Sequence, residues 1–300
     1  MRIVYFALAF ALALAMAVGG DVPGQAKSRD GTIRLAAIEP FTPPAEATSG
    51  NPSVAPLKWV GLLVIPNPTQ QHPNQISMCT AQFIKPNVLL TAGHCVKDLP
   101  SSPNGPWPDV TKGNFWLQYQ NDVGQAFNIV CAAANPKWSL PANFGSLTKA
   151  QQGTAMEAIW QHDFAMILVD GNSPTGVMPY ALDWKGKFKA AARVGYPADI
   201  LDGAIIQRVP GNIFFSTDIP MGNNSVPNIV VHWGPVTDAT EGMSGGGWIA
   251  NFNVNEGPNN NVLIAVSSYH DSNFPGAEFA AYLTAAEFNP LLASVSNGCK

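Results

Sequence analysis

The sequence predicts an all-β protein, built as a sandwich or a barrel. Apolar runs of about four to eight residues recur along the chain, and clusters of turn-forming residues separate them. Glycine and proline are frequent, with 27 and 26 copies, or 53 of the 300 residues, which favours a chain that turns often over one made of long helices. Because 46% of the residues are apolar, a folded core is expected rather than disorder.

Two groups of apolar runs are predicted as strands, and 300 residues leave room for one large domain or two smaller ones. The first group comprises 59–65, 79–84, 88–91, 115–119, 126–132 and 164–169. The second group comprises 191–196, 204–209, 213–216, 229–232, 248–250, 262–269 and 279–283. Helices are predicted at 147–160 within the body of the chain and at 284–295 near its end.

The beginning of the chain has the pattern of a secretory signal peptide. Arg2 precedes an unbroken run of apolar and small residues, 3–20, and an A-x-A cleavage site ends at Ala17. Cleavage as late as Ala26 is the second choice, and an uncleaved membrane anchor is the alternative, since about 18 residues can just span a bilayer. We therefore predict a signal peptide at 1–17, a pro-segment or flexible arm at 18–55, and a secreted or periplasmic protein.

Charge and cysteine content exclude several classes of function. The net charge is −4 and no block of Lys or Arg occurs, so neither nucleic acid nor, after signal cleavage, a membrane is expected as partner. The chain has no C-x-x-C and no H-E-x-x-H pattern, so no metal or other cofactor is predicted. Export permits disulfides, and the cysteines at 79, 95, 131 and 299 allow three pairings.

Three short motifs contain a histidine, an aspartate and a serine beside predicted strands. They are Thr-Ala-Gly-His-Cys at 91–95, Asp-Phe-Ala-Met-Ile at 163–167 and Gly-Met-Ser-Gly-Gly at 242–246. A serine hydroxyl needs a base to become a nucleophile, and histidine is the side chain poised near neutral pH. The imidazole needs a carboxylate to orient it, and the oxyanion that forms needs fixed N–H donors. The three motifs can supply all of these groups.

The motifs resemble those of the chymotrypsin/trypsin-like serine endopeptidases, which have the same order of His, Asp and Ser. Val-Gly-Tyr-Pro at 194–197 is similar to a segment of the bacterial secreted, glutamyl-endopeptidase-like members. The resemblance covers 56–298. It implies two six-stranded antiparallel Greek-key β-barrels, about 56–175 and 176–298, with the active site between them and a short C-terminal helix.

The resemblance also implies the roles of individual residues. His94 matches the general base, Asp163 the residue that orients it, and Ser244 the nucleophile. The backbone N–H groups of Gly242 and Ser244 match the oxyanion hole. The expected reaction is hydrolysis of peptide bonds in a polypeptide substrate through an acyl-enzyme, without a cofactor, and the expected state is a monomer.

Cysteines and one substitution complete the comparison with the family. Cys79 and Cys95 match the disulfide that braces the histidine loop, and Cys131 and Cys299 then pair by elimination. Trypsin-like enzymes have an acidic residue before the serine, which pairs with the N-terminus created by zymogen cleavage. Met243 stands there in this chain, so activation through a new α-amino group is not expected.

Specificity is the least determined feature of the sequence. Asp238 lies six residues before the serine, where trypsin-like enzymes have the carboxylate that selects Lys or Arg, and Gly276 matches a glycine that keeps such a pocket open. The competing expectation is a glutamyl preference, which needs a pocket histidine at the position of Ser267. His270 takes that role only if the strand register differs.

Two other functions fit parts of the pattern. Residues 242–246 also satisfy G-x-S-x-G, the nucleophile elbow of α/β-hydrolase esterases, but that fold requires the order Ser, acid, His and a helix directly after the serine. The second alternative is a catalytically inert, protease-like binding protein. Such proteins usually lack a member of the triad, whereas all three residues are present here.

Overall fold

A computed structural model of the protein describes residues 48–49, 51–66, 76–97, 109–199, 201–218, 226–234, 241–255, 259–271 and 274–300. The predicted signal peptide, most of the predicted arm and Asp238 lie outside these residues. Nowhere in the described ranges does a helix reach the length and apolar character needed to cross a membrane.

Six antiparallel strands close into a first barrel in the order β2-β3-β4-β7-β6-β5. Their bounds are β2 Val60–Pro66, β3 Ile76–Lys85, β4 Val88–Thr91, β5 Asn114–Gln120, β6 Val123–Ala134 and β7 Ala165–Val169. Buried aromatic rings fill the interior: Phe83 meets Phe115 and Phe127 edge to face, with centroid distances of 5.4 and 5.3 Å. Edge-to-face packing of this kind suits the aromatic quadrupole.

Six further strands form a second barrel in the order β9-β10-β13-β12-β11-β8, which the pairing of β8 with β9 closes. Their bounds are β8 Ala190–Gly195, β9 Gln207–Phe215, β10 Ile229–Trp233, β11 Gly247–Ala250, β12 Val262–His270 and β13 Ala277–Tyr282. Before the first barrel, β1 (Thr48–Ser49) pairs with Arg208 and Gln207 of β9. The predicted fold of two six-stranded antiparallel barrels is therefore confirmed.

The two barrels share one apolar cluster. It contains Leu62 and Ile84 from the first barrel, Val194 and Leu263 from the second, and Phe288 from the C-terminal helix, all buried. Burial of apolar area is the dominant favourable term in folding, so this shared cluster fixes the two barrels against each other.

In the described part of the chain, three α-helices accompany the strands: α1 Gly93–Val96, α2 Lys149–Trp160 and α3 Ala285–Ser296. Both predicted helices are present as α2 and α3. Thr148 caps α2, because its hydroxyl accepts from Gln151 N–H at 3.3 Å while the Gln151 side chain accepts from Thr148 N–H at 3.0 Å; this capping box fixes the helix start. Short 3₁₀ turns occur at Leu57–Trp59, Val110–Lys112, Phe144–Ser146, Leu201–Gly203 and Ser216–Asp218.

One predicted boundary differs from the structure. The sequence predicts two strands, 204–209 and 213–216, on either side of Pro210 and Gly211, but one strand, β9, continues through these two residues from Gln207 to Phe215. Pro210 lies opposite Ala192 of β8, and a Cβ on Gly211 would lie 2.4 Å from the His232 ring. The glycine therefore accommodates a buried imidazole rather than a change of chain direction.

Candidate active site

The histidine and aspartate motifs meet because two strands are paired. β4 ends at Thr91 and β7 begins at Ala165, and these two residues lie opposite each other. His94 follows the end of β4, in α1, and Asp163 immediately precedes β7. The register of this strand pair therefore brings together two side chains that are 69 residues apart in the sequence.

The Asp163 carboxylate is fully buried and accepts three hydrogen bonds. His94 Nδ1 lies 2.7 Å from Oδ2, His94 backbone N–H donates to Oδ1 at 2.8 Å, and the Ser268 hydroxyl donates to Oδ2 at 2.5 Å. A buried carboxylate is stable only when paired and hydrogen-bonded in this way. Because a carboxylate only accepts, Nδ1 carries the ring hydrogen and Nε2 keeps a lone pair.

The residue before the histidine must be small. A Cβ on Gly93 would lie 2.9 Å from Asp163 Oδ1 and 3.0 Å from the Trp138 ring. Glycine at this position therefore lets α1 approach the carboxylate closely enough for the backbone N–H of His94 to reach it.

The serine motif forms a turn that packs between the two barrels. Thr80 N–H of β3 donates to Ser244 O at 2.8 Å, and Gly245 N–H donates to Ser267 O of β12 at 2.7 Å. Gly245 has φ +77°, and a Cβ there would lie 2.1 Å from Thr91 Oγ1. This close approach from both sides explains why the turn is rich in glycine.

The peptide groups around the serine have fixed orientations. The carbonyls of Glu241 and Met243 accept backbone hydrogen bonds at 2.6 and 2.8 Å. The donors are the N–H groups of Ala198 and Gly246. The carbonyl of Glu241 shares a peptide group with the N–H of Gly242, and the carbonyl of Met243 shares one with the N–H of Ser244. In a trans peptide the N–H and the C=O point in opposite directions. Fixing the two carbonyls therefore also fixes the directions of the two N–H groups. Neither N–H donates to any acceptor within the described part of the chain.

A cavity opens beside Ser244, and carboxyl, hydroxyl and imidazole groups line it. Its lining comprises Glu241, Ser244, Ser267, Ser268, Tyr269, His270 and Glu278. Glu278 is buried, with Oε1 3.3 Å from Nη1 of the buried Arg193. Burial raises the pKa of Glu278 and lowers the pKa of Arg193, and in both cases the opposite charge of the partner opposes the effect of burial.

Glu241 also lines this cavity. Its backbone N–H donates to Asp199 Oδ2 at 2.9 Å. Burial and the charge of Asp199 raise the pKa of the Glu241 carboxyl, while the nearby His270 and His94 oppose that increase. The cavity lining therefore contains a carboxyl group and an imidazole, and the charge of the histidine that is paired with the buried aspartate acts on the same carboxyl group.

The residues predicted to bind substrate have different places in the structure. Ser267 lines the cavity, and its hydroxyl accepts from Trp248 Nε1 at 2.9 Å. Gly276, with φ +83°, precedes β13 and is not among the described residues of the lining. His270 lines the cavity, and Asp238 lies outside the described residues.

Sequence reasoning missed several residues of the site. Glu278 in Ala-Glu-Phe-Ala-Ala-Tyr and Arg193 in Ala-Ala-Ala-Arg-Val-Gly are single charges in apolar strands, and a charge in such a run is a sign of a buried pair. Thr80 and Ser268 carry no comparable signal, because ordinary strands contain many hydroxyl residues.

Two disulfides are present, with the predicted pairings. Cys79–Cys95 joins β3 to α1 beside His94, and Cys131–Cys299 joins β6 to the end of the chain. The sulfur atoms of Cys79 and Cys95 and a ring nitrogen of His94 lie within 4.8 Å of one another. The two sulfur atoms are bonded to each other, so they are not available as thiolate ligands for a metal ion.

Solved structures of serine proteases share this fold. The protease Anisep of Arthrobacter nicotinovorans is 17% identical over 83% of this chain and 100% of its own, with a TM-score of 0.59. A Glu endopeptidase is 18% identical over 84% of this chain and 96% of its own, with a TM-score of 0.55. Comparison of the sequence with protein-family models and with curated proteins finds no match. The chain therefore has the chymotrypsin-like double-barrel fold.

The fold excludes one alternative and leaves another to be tested. In an α/β-hydrolase a helix follows the nucleophile, whereas strand β11 follows Ser244 here, so the esterase on that fold is wrong. Human heparin binding protein has the same fold, with 14% identity over 84% of this chain and 96% of its own and a TM-score of 0.54. Fold similarity at this level does not establish activity.

We predict that the Arg193–Glu278 pair stabilises the fold only while both charges are present. Glu278→Gln leaves a buried guanidinium without its carboxylate and should lower the free energy of unfolding by about 3 kcal/mol. Replacing both residues with methionine removes both charges and should cost less than the single change. Urea denaturation of the three proteins measures these differences. A double variant less stable than Glu278→Gln would contradict the prediction.

Proposed function

We propose that the protein is a secreted serine endopeptidase that cleaves polypeptides through Ser244, His94 and Asp163. The observation that carries this proposal is the hydrogen-bonded pair of His94 and Asp163. The loop that bears the serine packs against the histidine motif, since a Cβ on Gly245 would lie 2.8 Å from the backbone nitrogen of Ala92. The serine protease neighbours support the same class of reaction.

The proposed mechanism follows from the protonation state of His94. Nε2 takes the proton of the Ser244 hydroxyl as Oγ attacks the carbonyl carbon of the scissile bond. The imidazolium that forms is stabilised by the ionised Asp163, and it gives the proton to the departing amine as the C–N bond breaks. Water then attacks the acyl-enzyme with His94 again as base, and the new carboxyl group and the free serine result.

The oxyanion of each tetrahedral intermediate needs donors that are already in position. The N–H groups of Gly242 and Ser244 fit this role, since the fixed carbonyls of Glu241 and Met243 turn them away from the body of the loop. Such fixed dipoles cost no reorganisation during the reaction, which is why they stabilise the transition state strongly.

Export and activation belong to the same proposal. The apolar segment at 1–17 serves as a signal peptide, and the two disulfides fit an oxidising compartment outside the cytoplasm. The buried side chain before the nucleophile is Met243, which cannot form an ion pair with a new α-amino group. We propose that the enzyme acts as a monomer and does not require that ion pair.

Ser244→Ala tests the nucleophile. We expect a loss of about 10⁴-fold or more in kcat against a peptide substrate, with unchanged thermal stability. A fluorescent fluorophosphonate should label the wild-type protein and not the variant. A purified, folded wild-type protein that neither reacts with the probe nor cleaves a denatured proteome would instead be a binding protein with this fold.

The pH dependence of kcat/KM tests the base. Only neutral imidazole accepts the serine proton, so kcat/KM should rise between about pH 5 and pH 8 as a histidine loses its proton. The measurement uses one peptide substrate over that range, with thermal stability recorded at each pH as control. A flat profile with an intact fold would exclude a histidine base.

We further propose a preference for Lys or Arg before the scissile bond. Its basis is the sequence position of Asp238. Of the two carboxyl groups that line the cavity, Glu278 is paired with Arg193, and Glu241 adds an acidic group to the lining. A substrate cation would compensate a carboxylate held in such a pocket.

Asp238→Ser tests this preference. Loss of one member of a buried charge pair costs about 2–5 kcal/mol, so the ratio of kcat/KM for Lys or Arg over a neutral residue should fall at least about tenfold. Glu241→Gln is the matched control, because it removes another carboxyl group of the cavity lining and should change the ratio less. Preferential wild-type cleavage after Glu, or after apolar residues, contradicts the proposal.

A further inference from the structure

Thr80, in β3 of the first barrel, touches the serine loop of the second barrel at two points. Its hydroxyl donates to Gly242 O at 2.9 Å, and its backbone N–H donates to Ser244 O at 2.8 Å. The same hydroxyl accepts from the backbone N–H of Tyr196 at 2.9 Å. Thr80 is fully buried, so water does not replace these contacts.

The direction of the hydroxyl hydrogen follows from these contacts. A hydroxyl has one hydrogen to donate and lone pairs to accept. Tyr196 N–H can only donate, so it occupies a lone pair, and the hydrogen is left for Gly242 O. A Cβ on Gly195 would lie 2.8 Å from Thr80 Oγ1. The glycine before Tyr196 thus leaves the space that the hydroxyl needs.

Gly242 O belongs to the peptide group that separates the two proposed oxyanion donors. The carbonyls on either side of it, those of Glu241 and Met243, are held by other backbone groups. Gly242 itself has φ +79°, and glycine alone does not hold a single backbone conformation. Fixing the middle carbonyl sets the angle between the N–H groups of Gly242 and Ser244.

We infer that Thr80 is a positioning residue for the oxyanion hole, an inference that rests on the proposed endopeptidase function. Its hydroxyl orients the peptide between the two donors and joins the first barrel to the loop. The hydroxyl of Thr80 should stabilise the transition state and not the bound substrate, because the oxyanion forms only in the transition state. The hydroxyl should therefore affect kcat rather than KM.

Thr80→Val is the test, because it keeps the branched shape and the backbone N–H but removes the hydroxyl. We expect kcat to fall roughly tenfold to a hundredfold, less than for outright loss of an oxyanion donor, with KM unchanged. Affinity for a peptide aldehyde, whose adduct with serine carries an oxyanion, should fall by a similar factor. Thr80→Ser restores the hydroxyl and should return kcat to within about threefold of wild type.

Thr175→Val is the matched control for a purely structural effect. Its hydroxyl donates to Lys58 O at 2.8 Å, away from the serine loop, so this variant should lose thermal stability without losing kcat. Thr80→Ala is the second variant if Thr80→Val does not fold, since it places no methyl group against Tyr196 N–H.

Wild-type kcat and aldehyde affinity in a folded Thr80→Val or Thr80→Ala protein would overturn the inference, as would a loss confined to KM. A wild-type protein that fluorophosphonate does not label and that cleaves no peptide marks the failure of the proposed function instead. The two failures are therefore distinguishable.

Discussion

The buried carboxylate of Asp163 constrains the rest of the site. An ionised carboxylate in the interior is tolerated only when donors surround it, and these donors come from two barrels. His94 supplies its ring and its backbone from the first barrel, and Ser268 supplies its hydroxyl from β12 of the second. A displacement of one barrel against the other would leave the charge short of a donor. The charge that orients the imidazole therefore also couples the two halves of the molecule.

In the serine loop, glycine residues permit the backbone conformation and neighbouring residues hold it in place. Its glycines permit close approach: a Cβ on Gly246 would lie 2.1 Å from Val194 O, and one on Gly242 would lie 2.4 Å from Tyr196 O. Glycine contributes no rigidity of its own. The position of the loop comes from its neighbours, Thr80 on one side and Ser267 on the other. The motif thus permits the conformation, and residues far away in sequence select it.

The sequence predicts those features of the structure that arise from short, local patterns of residues. The strands and the helices α2 and α3 follow from apolar runs that are short in sequence. The two-barrel arrangement and the Cys79–Cys95 pairing follow from the resemblance of three motifs to a known family, and the Cys131–Cys299 pairing follows by elimination. The continuity of β9 was missed because Pro210 and Gly211 are usual in turns, and their role depends on the partner strands. The contacts of Thr80, 162 residues from Gly242, and of Ser268, 105 residues from Asp163, arise only from strand pairing and barrel packing. No local pattern encodes such distant pairs.

The charge of the cavity beside Ser244 also depends on residues that are distant from one another in the sequence. Glu278 has the guanidinium of Arg193 beside it, with Oε1 and Nη1 3.3 Å apart, so the pair is close to neutral when seen from the cavity. Glu241 has the carboxylate of Asp199 beside it, and the opposing groups near it are the imidazoles of His270 and His94. Of the two carboxyl groups in the described lining, Glu278 is the one paired with a guanidinium. A cationic group of a substrate would therefore be attracted to Glu241 rather than to Glu278, which adds to the preference proposed for Lys or Arg.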